Sequence, residues 1–253
     1  MAPRAGNPRL LRGALIALGA VLLGAAYGTT LFPTPLAARI EPAIGVVGVD
    51  AGKSLAWILR TKRGVVLIDA GMDQDAKAIL GELGAEGVSP AQVQAILITH
   101  AHPDHWGGAA AFRGAKVYAG AGDVALLKGE AKLKGPLSSM LGGMMPAPLA
   151  AVEAVQDGQV LELDGEEIRA VSLPGHTPGS TAYLWKDLLF TGDALLGKGA
   201  AEVTRAPWLF CEDAAQARRS LEKLRDVPFT RMADGHIGAT ADARSKLIRL
   251  LRK

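Results

Sequence analysis

The sequence predicts an α+β architecture in which two β-sheets pack face to face and helices cover their outer surfaces. Three observations carry that expectation. Short apolar runs of strand length, bounded by Gly, Asp or Pro, recur in both halves of the chain. Residues 64–68 and 95–99 are apolar without alternation, as in strands covered on both faces. Stretches with helical spacing of apolar residues lie between and after these runs, which suits helices laid on sheets.

In chain order, residues 44–49 and 54–60 are β-rich and separated by the turn Asp50-Ala-Gly-Lys53. The run 64–68 ends in Asp69-Ala-Gly71. Ala76, Ile79, Leu80 and Leu83 give residues 73–83 a helical stripe. Ser89-Pro90 reads as a helix start, with Ser as N-cap and Pro in the first turn. Strand 95–99, strand 115–119 and a helix over 122–128 follow. The second half offers strands at 160–163, 168–173, 181–185, 188–190 and 229–233. Ala214, Ala217, Leu221 and Leu224 mark a helix between the last two of these. Thr240 reads as the cap of a final amphipathic helix carrying Leu247, Ile248 and Leu251.

The 253 residues suit one medium domain plus one extra element. That element is residues 1–38, expected to be a signal or anchor helix with a Pro-containing linker; residues 39–253 are expected to form the folded domain. Residues 13–32 are twenty consecutive uncharged residues behind Arg4, Arg9 and Arg12. A helix of about 20 apolar residues spans a bilayer core, and the arginines orient the domain to the extracytoplasmic side. A cleaved signal peptide and a retained anchor both fit.

The formal charge of +3 belongs to the two ends. Residues 13–240 carry 20 basic and 24 acidic residues, the wrong field for a nucleic-acid enzyme. Cys211 is the only cysteine, so no intrachain disulfide forms.

The chemistry is concentrated in Thr99-His100-Ala101-His102-Pro103-Asp104-His105. Four potential ligands lie within six residues, straight after an apolar strand. Imidazole and carboxylate suit Zn²⁺. Alternate spacing points His100 and His102 the same way, while the turn at Pro103 sends Asp104 and His105 to a neighbouring point. His176 lies in the Gly/Pro-rich loop 173–180, His236 in Ala233-Asp-Gly-His-Ile-Gly238, and Asp193 at the end of the apolar run 189–193. All five histidines thus sit on strand-end loops.

In order and spacing, residues 99–105, 174–180, 191–193 and 235–236, with Asp69-Ala-Gly71 ahead of them, resemble the motifs of the metallo-β-lactamase superfamily. The resemblance covers residues 40–253 and implies a four-layer αββα sandwich with two metals at one edge of the sheets. It assigns His100, His102 and His176 to a first metal and Asp104, His105 and His236 to a second, with Asp193 bridging. Asp69, Thr177 and Ser180 become supporting residues that orient ligands. The cofactor implied is two Zn²⁺ per chain, with Fe or Mn as alternatives. Asp at position 193 resembles the glyoxalase-II, lactonase and phosphodiesterase-like branches, whereas many β-lactamases carry Cys or Ser there; Cys211 lies 18 residues too late to match.

Two close metals lower the pKa of a shared water toward ~7. Asp104 is then the catalytic residue expected to orient the hydroxide and to protonate the leaving group. No Gly-x-Ser-x-Gly elbow is present to supply another nucleophile. The expected function is hydrolysis of an ester, lactone, thioester or β-lactam in a small-molecule substrate. The competing readings are a mononuclear iron persulfide dioxygenase and a non-enzymatic binding protein on the same scaffold. Two segments are candidates for shaping the pocket: 130–149, with Met140, Met144 and Met145, and 195–210, with Lys198, Arg205 and Trp208.

Overall fold

A computed structural model describes residues 39–40, 45–136, 141–199 and 201–252. The first sheet is built from β1 (Arg39–Ile40), β2 (Val46–Asp50), β3 (Leu55–Arg60), β4 (Val65–Ile68), β5 (Val93–Ile98), β6 (Lys116–Gly120) and β7 (Glu153–Val155), in that spatial order. It begins antiparallel and becomes parallel from β4 onward. The second half of the chain supplies β8 (Val160–Leu163), β9 (Glu166–Ser172), β10 (Thr181–Trp185) and β11 (Leu188–Gly192). It continues with the hairpin β12 (Leu195–Lys198) and β13 (Glu202–Arg205), then β14 (Arg231–Asp234) and β15 (Ala239–Thr240). The second sheet runs β15-β14-β11-β10-β9-β8.

Period-two burial explains why the strands read as unbroken apolar runs. In β4, Val66 and Ile68 enter the core between the sheets, while Val65 and Leu67 enter the core beneath the outer helices. Tyr183 and Trp185 of β10 pack between the sheets, and Ala182 and Leu184 pack outward. Trp57, Leu97 and Phe190 fill the centre of the sandwich. The first outer face is covered around α1 (Lys77–Ala85), α2 (Pro103–Trp106) and α3 (Val124–Leu127). The second is covered by α4 (Ala214–Ser220), the turn Leu221–Arg225 and α5 (Ala243–Leu251). The result is the expected αββα layering.

The membrane element that headed the predicted architecture is corrected. Among the described residues no helix is long and apolar enough to cross a membrane. The longest, α1 and α5, have nine residues each, ~14 Å of helix against a hydrocarbon core of ~30 Å. The expected apolar helix at 13–32 lies outside the described residues. The signal or anchor helix, the membrane as a partner and the extracytoplasmic location are therefore not carried forward.

Smaller differences are local. Ser89 does cap its turn, with a full capping box to Gln92, but the turn is a single 3₁₀ stretch, Pro90–Gln92. Thr240 lies in β15 opposite Met232, and α5 starts after Asp242. Segment 195–210 contains the β12–β13 hairpin.

Candidate metal centre

β4 and β5 are parallel, and β9, β11 and β14 share one direction in the second sheet. Their C-terminal ends deliver Asp69, His100, His176, Asp193 and His236. His102 occupies the position before α2, where Pro103 fixes the first turn, and α2 itself presents Asp104 and His105.

These side chains converge into two adjacent donor groups. One holds His100, His102, His176 and Asp193; the other holds Asp104, His105 and His236. Asp193 faces both. Its Oδ2 lies 3.0 Å from His236 Nε2 and 3.5 Å from His176 Nε2, and its Oδ1 lies 3.4 Å from His105 Nε2. Gly235 makes this approach possible, because a Cβ there would sit 2.6 Å from both Asp193 Oδ1 and His105 Cε1. Asp104 Oδ2 lies 3.8 Å from His105 Nε2 and 3.9 Å from His236 Nε2.

The outer hydrogen bonds set the tautomers. Thr99 Oγ1 donates to Asp69 Oδ2 at 2.8 Å, so its lone pairs accept the Nδ1–H of His100 at 3.1 Å. Asp69 Oδ2 also accepts the Nδ1–H of His105 at 2.8 Å, and its Oδ1 accepts the Thr99 amide at 2.7 Å. His236 Nδ1–H donates to the Lys53 carbonyl at 2.8 Å. In each case the outer bond engages Nδ1 and leaves Nε2 facing the site, the orientation a metal ligand requires. Asp69 does this from φ 61°, a left-handed conformation that costs a side chain ~1–2 kcal/mol and marks a functional constraint.

Electrostatics favour cations here. Burial and the neighbouring histidines hold His100 well below the ordinary imidazole range, and His102 behaves likewise. Burial also disfavours a charged His105, yet Asp193, Asp104 and Asp69 outweigh it and push its pKa up to about 10. Asp193 is held low by His236 and His105 against the opposing effect of burial. Two buried polar atoms, His105 Nε2 and Asp193 Oδ1, have no hydrogen-bond partner among the described residues although they face each other. His100 Nε2 and His176 Nε2 stand 3.2 Å apart. Positive ions resolve these juxtapositions, so the donor set fits a dinuclear metal cofactor.

All seven expected ligands thus meet at one edge of the sandwich. Of the expected supporting residues, Asp69 bonds to His105, whereas Thr177 and Ser180 bond to each other and Thr177 bonds to Asp123. Three residues outside the expected ligands and supporting residues also take part. Asp234 builds the His236 loop by accepting the amides of His236, Ile237 and Gly238 on Oδ1 and that of Gly197 on Oδ2. Cys211 places its sulfur 3.6 Å from His176 Nδ1, and burial pushes its thiol up to about 11, so it stays protonated. Asp123 is buried between two ligand loops. The Asp-Gly-His sequence was the one available signal, for Asp234.

Removing the metals is expected to lower Tm by on the order of 10 °C. Metal at 1,000 times its Kd contributes ~4 kcal/mol, and 1 kcal/mol moves Tm by ~2–4 °C in a domain of this size. Calorimetry with and without a chelator checks this; an unchanged Tm after complete metal loss counts against a metal-dependent centre.

Residues 49–250 match the model of the metallo-beta-lactamase superfamily. A hydroxyacylglutathione hydrolase from Albidiferax ferrireducens is 32% identical over 186 residues, covering 71% of this chain and 60% of that protein. The chain spans 56–60% of the length of the curated hydroxyacylglutathione hydrolases it matches. A solved B3 metallo-beta-lactamase with an active-site glutamic acid superposes with a TM-score of 0.69 at 25% identity, covering 90% of this chain and 93% of that one. A metallo-beta-lactamase from Cronobacter sakazakii gives 0.63 at 27% identity, covering 81% and 80%.

Proposed function

Because the chain belongs to the metallo-beta-lactamase superfamily and is a metallo-hydrolase, we propose that it is a dizinc enzyme acting on the carbonyl of an ester, thioester, lactone or amide. The observation that carries this reading is the pair of adjacent donor groups sharing Asp193. His100, His102 and His176 would hold the first ion and Asp104, His105 and His236 the second, with Asp193 facing both groups. Imidazole and carboxylate donors in compact buried groups favour zinc over the all-oxygen ions.

When bound, the metals supply an activated water near neutral pH and Lewis-acid polarisation of the carbonyl. The chain does the rest. Burial of the five histidines keeps bulk water away from the ligand atoms. Asp69, the Lys53 carbonyl and Thr99 keep the imidazoles in register. Asp104, whose side chain is 21% exposed against 8% or less for His100, His105, His176, Asp193 and His236, is the most open of these groups. It is placed to orient the attacking water and to pass a proton to the leaving group.

The test is a panel of an acyl-glutathione thioester, a lactone, an aryl ester and a β-lactam, run with metal quantified. The thioester and the β-lactam follow the names of the relatives. Expected are two zinc per chain and turnover of at least one class that is lost to a chelator and restored by zinc. One iron per chain, with oxygen consumed on a persulfide and no hydrolysis, overturns the proposal.

A further inference from the structure

Asp123 follows β6 at the end of the 3₁₀ turn Ala121–Asp123, and it is fully buried. Its carboxylate reaches two separate loops. Oδ2 accepts the amide of Ala101, between His100 and His102, at 2.8 Å, and the hydroxyl of Thr177, next to His176, at 2.5 Å. Oδ1 accepts the amide of Gly179 at 2.6 Å. The contact is close: a Cβ on Gly179 would lie 2.3 Å from the Asp123 amide nitrogen and 2.7 Å from its Cβ. Ser180 extends the web, accepting the Thr177 amide at 2.9 Å and lying 2.9 Å from the Thr177 hydroxyl. A carboxylate this deep is costly unless donors satisfy it, and here three donors from two loops do so. None of them belongs to a ligand side chain.

We propose that Asp123 is a positioning residue that locks the 100–102 loop to the 176–180 loop and thereby sets the spacing of the first metal's three histidines. The proposal rests on the ligand assignment given above. The three bonds of Asp123 all fall on the two loops that carry the first metal's histidines. The lock therefore acts on one site of the two. Asp123→Asn tests this with little change of volume. The amide oxygen can still accept from Ala101 and Thr177, but the amide nitrogen then meets the Gly179 N–H, donor against donor.

Competition with a chromophoric chelator, resolving two zinc dissociation constants, is the readout. Orienting partners of metal ligands typically govern affinity by 10–100-fold, so Asp123→Asn is expected to weaken the first site by ~10-fold or more while the second stays within about threefold. Turnover should fall at limiting zinc and recover at saturating zinc, because Asp123 does not touch the reacting atoms. A purely structural role gives a different pattern: both constants weaken together and the metal-free Tm drops. That pattern, or two unchanged constants, overturns the proposal. Thr177→Val removes one of the three bonds and tests the same lock should Asp123→Asn fail to fold; the first site alone should again weaken. His102→Ala separates the two layers of the argument, since an unchanged first-site constant there overturns the ligand assignment itself.

Discussion

Asp193→Ala is expected to lower kcat/KM by about 10³-fold or more and to reduce bound metal from two ions toward one. The carboxylate faces both donor groups, with His236 and His176 on Oδ2 and His105 on Oδ1. Its removal leaves five buried imidazoles with no shared counter-charge. Metal chemistry at such sites supplies several kcal/mol of transition-state stabilisation, and each 1.36 kcal/mol is tenfold in rate. Metal analysis and steady-state kinetics on one preparation check both parts. Asp193→Asn preserves shape and removes the charge, so a comparable loss there assigns the effect to electrostatics and not to packing. Full activity with two metals retained in Asp193→Ala removes the bridging role.

Most of the scaffold was legible because the sandwich imposes a plain code. Strands β3 to β5, β10 and β11 are buried on both faces over nearly their whole length, so their sequences are largely apolar and strand-length. The residues of the two donor groups were legible for a related reason. Asp193 and His100 come within two residues of such strands, His176 and His236 follow β9 and β14 within four, and these strands deliver their C-terminal ends to one edge. What stayed hidden was set by tertiary context. The β12–β13 hairpin has a glycine inside its first strand and a half-exposed second strand, so it lacks both the apolar run and the alternation. β15 is two residues long and exists only because Ala239 and Thr240 pair with Ala233 and Met232. Asp123 is a solitary aspartate at the start of the expected helix 122–128, and its value comes from donors 22 to 56 residues away. Cys211 was set aside because it misses the bridging position, yet the fold returns its sulfur to His176. The spanning helix expected at residues 13–32 finds no counterpart among the described residues. Hydropathy there suggested a spanning helix, but local composition alone does not decide what such a segment does.

Asp104→Asn is expected to separate ligand roles from proton transfer. Its Oδ2 stands near His105 and His236, and its backbone carbonyl accepts the Ser54 hydroxyl, which pins the start of α2 independently of the side chain. The backbone should therefore stay in place while the carboxylate is lost. A positioned acid–base group contributes ~10²–10⁴-fold, so kcat should fall within that range even when zinc is raised until both sites fill. The loss should also depend on the substrate. A departing aryl oxide or thiolate needs little protonation, whereas an alkoxide or amine needs a full proton. If Asp104 delivers that proton, the variant loses least on aryl esters and thioesters and most on alkyl lactones and amides, and the rate depends more steeply on leaving-group pKa. A uniform loss across leaving groups that disappears at saturating zinc would reduce Asp104 to a ligand and leave the proton to another carrier.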